Sequence, residues 1–223
     1  MMARLMANVE YRLGQERNRY APHVSSINAL VDDLSTDERG WMPHVAPAHG
    51  GVDASVLSVL RDPGPMTQVG KGSGFLSIEN DDPTAEQQCV AFGRVGVHAA
   101  DITPWNAYPW YINQQPNAAQ LDAGVEPLVR LLGLLPRLKV VLLQGGDARD
   151  AWRRLTRRHP HIIVSRRFAV VETFHPGRQA LWSPDATVRQ SRRDNREQAY
   201  QLVAEIVHEA AGRPGGNRTE LAH

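Results

Sequence analysis

The sequence predicts a three-layer α/β/α sandwich around a central four-stranded, mainly parallel sheet. Three observations carry this. Short apolar runs rich in branched residues recur at 56–60, 99–103, 138–143 and 168–174. Helical stretches separate them, and strands that alternate with helices pair in parallel. Three of the four runs end in a loop bearing a polar side chain: Asp62, Asn106 and His175. Strand ends of a parallel sheet gather at one edge, where α/β proteins bind their ligands.

The elements follow in order. Residues 4–19 and 25–35 read as helices of a polar outer leader, with Ser25 or Ser26 capping the second. A Pro/Gly-rich loop, 41–52, carries His44 and His49 as ordinary loop residues. Val56–Leu60 is a buried strand that stops at Arg61-Asp62-Pro63-Gly64-Pro65. The Gly-rich loop 70–74 then delivers Phe75. Asp82-Pro83 opens a helix over 84–95 with an acidic cap and Pro at the first position. Strand 99–103 ends in a loop of four aromatics, Trp105, Tyr108, Trp110 and Tyr111, around Asn106. That loop is either a plug over the sheet end or a platform beside a ligand. An amphipathic helix spans 118–135 and Pro136 ends it. Strand 138–143 precedes a helix over 148–158 capped by Asp147. Strand 168–174 ends at His175-Pro176-Gly177-Arg178, and a polar helix covers 186–211. The whole, 1–223, reads as one domain with a helical and loop leader, 1–50, and a loose tail, 212–223.

Composition narrows the class. At 42% hydrophobic and 22% charged the chain is globular. No run of about 18 apolar residues marks a membrane span, and the charged N-terminal stretch lacks a signal-peptide core, so the expected location is cytoplasmic. The one cysteine, Cys89, excludes an internal disulfide and any cysteine-held cluster or zinc. Net charge is +1, but residues 149–196 hold twelve Arg against four acids, Asp150, Glu172, Asp185 and Asp194. Arg binds phosphate bidentately, so this third suits a nucleic-acid surface as well as it suits a solvated face.

An acid, an Asn, a His and a Phe lack the spacing of a nucleophile elbow, a phosphate loop or a dinucleotide fold. They suit a flat heterocycle bonded to a sugar. The Asn106 amide sets a donor beside an acceptor, matching O4 and N3–H of uracil and mismatching cytosine. His175 would donate to O2 as the base becomes anionic, and Asp62 would orient water or steady the sugar cation. Phe75 would stack on a base flipped out of the duplex.

These residues resemble the motifs of the uracil-DNA glycosylase superfamily. Asp62-Pro63-Gly64, Phe75, Asn106 and His175-Pro176-Gly177 fall in the family's order across 56–181. The resemblance implies that Asp62 activates water, Phe75 stacks on uracil, Asn106 reads its Watson–Crick edge and His175 steadies O2. It also implies that Arg178 or Gln179, just past Gly177, enters the duplex. Gly64 stands where the main uracil-removing family has a Tyr that blocks the thymine methyl. The chain is most similar to a divergent, actinobacterial-type group without an iron–sulfur cluster. The expected protein is a monomeric DNA repair glycosylase of base excision repair, with no cofactor. Its expected partners are uracil-containing DNA, single- or double-stranded, and the abasic product, with no membrane. Arg166, Arg167, Arg178, Arg192 and Arg193, with Arg189 and Arg196, would hold phosphates. Other readings stay open. Asp62 also reads as a turn cap, His175 as a satisfied buried histidine and Phe75 as core. The chain also reads as a superfamily member that binds or covalently traps uracil or abasic DNA without turnover, or as a nucleoside hydrolase, which the Arg surplus disfavours.

Overall fold

The computed structural model describes residues 2–36, 38–165 and 167–210. Asn8 caps α1, Val9–Arg17, by accepting from the Tyr11 N–H. Helix α2, Pro22–Leu34, starts with Pro at its first turn, not at a serine cap. It is no outer leader either: Val24, Ile27, Leu30 and Val31 are buried in the main core. His44–Val45 forms β1, a strand absent from the sequence reading.

Val56–Leu60 is β2, as expected. Phe75–Leu76 is β3 and pairs in parallel with β1. Asp82 caps α3, Pro83–Arg94, through the N–H groups of Thr84 and Ala85. The next strand, β4, is Ile102–Asn106, three residues later than predicted, so Pro104, Trp105 and Asn106 are strand and not loop. The expected helix 118–135 divides into α4, Ala118–Ala123, and α5, Val125–Gly133. Pro127 lacks the N–H that would bond back to residue 123, so a continuous helix breaks there.

Strand β5, Val140–Gln144, leads into α6, Gly146–Arg158, with Gly145 at its cap and Asp147 inside its first turn. A short helix α7, Pro160–Ser165, precedes β6, Ala169–Thr173. A single turn, α8, Arg178–Leu181, and the long α9, Ala186–Ala210, follow. The predicted tail, 212–223, lies outside the described residues.

The central sheet has the order β4-β2-β5-β6 and is parallel throughout. Successive strand residues face opposite sides. Val141 and Leu143 of β5 therefore join α2, α5 and α6 in one core. Val140 and Leu142 join α3 and α9 in another, around Phe92, Tyr200 and Val203. Those two layers of helices bury both faces of β2, β4 and β5, whereas Val170 and Glu172 of the edge strand β6 are exposed; β2 and β5 therefore read as continuous apolar runs. None of the described helices is long and apolar enough to cross a membrane.

Candidate active site

Strands β2 and β5 are neighbours whose outgoing connections part. The chain leaves β2 through α3 on one face, toward β4. It leaves β5 through α6 on the other face, toward β6. A crevice opens at such a switch point, beyond the carboxyl ends of the strands. Here it is a cavity of about 580 Å³, lined among others by Asp62, Asn106, Gln144 and His175. One residue comes from the end of each of the four strands.

Asp62 leaves β2 with its side chain only 3% exposed. Its Oδ1 accepts from the Arg61 Nε, and its Oδ2 is buried with no partner among the described residues. Burial pushes its carboxyl above the ordinary carboxylate range. The Arg61 cation and a bond with the Gln114 backbone pull it back, and the charge of Asp147 adds to the rise.

His175 follows β6. Its Nδ1 accepts from the Gly177 N–H at 3.0 Å. Burial, assisted by the Arg61 cation, lowers its pKa to about 4, against the opposing pull of Asp147. The neutral ring with Nδ1 accepting carries its proton on Nε2. Gly145 allows this packing: its φ is +103°, and an added Cβ would lie 3.3 Å from the His175 Cβ.

Asn106 ends β4 opposite Leu60 of β2 and is 1% exposed. Both its Oδ1 and its Nδ2 lack partners among the described residues. A buried carboxamide left unbonded costs several times the worth of a typical hydrogen bond, so a complementary ligand is the natural partner. No family model and no curated protein matches this chain.

Phe75 corrects an expectation. It does not line the cavity; it is 1% exposed and packs with Met6, Ala46 and Tyr11. Alternation along β3 turns its neighbour Leu76 into the cavity instead. Pro63 is buried outside the cavity, whereas Gly64 lines it and has open space where a Cβ would be. The aromatic loop is the plug and not the platform: Trp105, Tyr108 and Trp110 belong to the main core. Trp110 donates to the Leu34 carbonyl at 2.9 Å.

Gly177, Arg178 and Gln179 line the cavity beside His175, with Arg178 and Gln179 exposed. Arg167 and Arg193 are exposed as well, and Arg166 lies outside the described residues. Arg192 departs from its expected role. It donates to the carbonyls of Ala180 and Trp182 and lies 5.5 Å over the Phe174 ring. Arg189 and Arg196 also donate to carbonyls of this segment, at Ser183, Pro184 and Pro176. Three of the four arginines on α9 thus tie down the loop after His175, leaving Arg193 for an outside anion.

The cavity floor holds two further polar residues, Gln88 and Gln144. Gln144 was visible at a strand end, but Gln88 sits in a helix where Gln usually faces water. Both are buried and joined to Ser58 and Tyr200. His49 is another buried group, bonded to Ser77 at 3.1 Å. Among the described residues no group of three or more His, Cys, Asp or Glu is arranged to hold a metal ion.

Proposed function

We propose that this chain is a DNA repair glycosylase that hydrolyses the N-glycosidic bond of deoxyuridine in DNA, releasing uracil and leaving an abasic site. The observation that carries this is the Asn106 carboxamide, buried with both polar atoms free, in one cavity with Asp62 and His175. A donor and an acceptor side by side pair with N3–H and O4 of uracil. The cavity, at about 580 Å³, suits a single flipped nucleotide.

Each remaining group has a step. Asp62 accepts a proton from the water that attacks C1′. The C1′–N1 bond breaks and its electron pair stays on the base. The N–H of neutral His175 bonds O2 of the departing anion and lowers its energy without an acid-base step. Arg178, Arg167 and Arg193 are exposed and available for phosphates.

One observation favours a second reading, a protein that binds uracil or abasic DNA without turnover: Arg61 already occupies one oxygen of the base, Asp62. End-labelled oligonucleotides with one uracil, single- and double-stranded, separate the two. Alkali-labile breaks at the uracil that fall by about 10²-fold or more in Asp62→Asn, with DNA binding retained, support the glycosylase. A uracil-specific gel shift without breaks overturns it in favour of the binder.

A further inference from the structure

Under the cavity, four buried polar side chains form a relay with a fixed polarity. The Tyr200 hydroxyl donates to Gln144 Oε1 at 2.7 Å. Gln144 Nε2 donates to Ser58 Oγ at 2.7 Å and to Gln88 Oε1 at 2.8 Å. The Ser58 hydroxyl donates to the same Gln88 Oε1 at 3.1 Å. Gln88 lines the cavity, its oxygen is engaged by two donors, and its Nε2 bonds nothing among the described residues. The half of its amide left for a ligand is the N–H half.

We propose that Gln88 is a specificity-determining residue, held donor-outward by Tyr200, Gln144 and Ser58 so that the cavity accepts a base carbonyl and refuses an exocyclic amino group. For its substrate this rests on the glycosylase reading; for its geometry it does not. The relay has one alternative, with both amides turned over. Gln144 Oε1 would then accept from Ser58 and from Gln88, and Gln88 would offer the cavity an acceptor. In that arrangement Gln144 Nε2 faces Tyr200, and the Tyr200 O–H is left without an acceptor. Tyr200 is 2% exposed, with its ring against Phe92 at 4.7 Å, so water cannot replace that partner cheaply. The Tyr200 hydroxyl therefore decides which face of Gln88 a base meets. Asn106 alone, with both atoms free, is free to turn either way; Gln88 is not.

Gln88→Glu is the direct test. A carboxylate still accepts from Ser58 and Gln144, but its outward atom becomes an acceptor. Release of uracil and of cytosine from otherwise identical oligonucleotides is compared in wild type and variant. The ratio of cytosine to uracil release is expected to rise about tenfold or more. A purely structural role, or a general effect of added charge, lowers both together. Tyr200→Phe should move the same ratio in the same direction, by releasing the amide pair. An unchanged ratio in folded Gln88→Glu overturns the proposal. Side-chain amide hydrogen exchange in the ¹⁵N-labelled protein reads the relay without turnover. Slow exchange at the Gln144 amide and fast exchange at Gln88 is expected, and the reverse overturns it. If wild type releases no uracil while the exchange pattern holds, the glycosylase reading fails and the donor-outward geometry stands.

Discussion

The Gly177 N–H donates to His175 Nδ1 across a single intervening residue, Pro176, and so fixes the neutral imidazole with its proton on Nε2. A histidine that merely filled space would not need its tautomer set. Long-range ¹⁵N–¹H spectra should find His175 neutral at pH 7 with the proton on Nε2, titrating near 4. A proton on Nδ1 would sink its role as donor to the base. His175→Ala should lower uracil release by about 10²- to 10³-fold.

Arg61 acts on both catalytic candidates. It lowers the Asp62 carboxyl against burial, and it lowers His175 along with burial. Arg61→Ala removes a cation, so both pKa values rise. Asp62 must be ionised to take a proton, so the acid limb of the pH–rate profile should move to higher pH. A limb that stays in place would mean another group sets it.

Gly64 lines the cavity with nothing within 4 Å of an added Cβ. The Cβ of Gly64→Tyr therefore meets nothing, and its ring is expected to take space from the ligand. Excision of thymine from a mismatch should fall relative to uracil. The check is the ratio of the two rates in wild type and variant, and an unchanged ratio would remove this wall from base selection.

His49 is buried and neutral, with its pKa lowered to about 4 from the ordinary 6.5. Its folded value lies below its unfolded value, so its contribution is present above pH 6.5 and is lost as pH falls toward 4. Between pH 7 and pH 5 that loss is about 2 kcal/mol. His175 shifts the same way and adds to it. Urea unfolding at the two pH values should show the fall, with a shallower slope in His49→Gln. An equal slope in the variant would assign the loss to other groups.

How much of this the sequence carried depended on how far each residue's role was local. Strand β5 was legible because both its faces are buried and its apolar run is unbroken. Strand β4 was misplaced because Pro104 reads as a breaker. It lies on the sheet edge, paired only with β2, where a missing N–H is tolerated. Asp62, Asn106 and His175 were legible as polar residues closing strands. Phe75 was misread because a two-residue strand shows no alternation, and its face is set by pairing with β1. Gln88 was silent because its burial comes from Ser58 and Gln144, contributed by two different strands. The arginines of α9 looked alike in sequence; only the carbonyls of the loop after His175 separate Arg192 from Arg193.

The sheet order has a kinetic consequence. Asn106 ends one edge strand and His175 follows the other, with β2 and β5 between them. Every pairing is parallel, so no hairpin brings two of these strands together locally, and each ladder closes a long loop. Refolding must therefore proceed through distant contacts, and a species that has not yet docked β6 lacks one wall of the pocket. The rim of the cavity is then complete only when all four strands are paired.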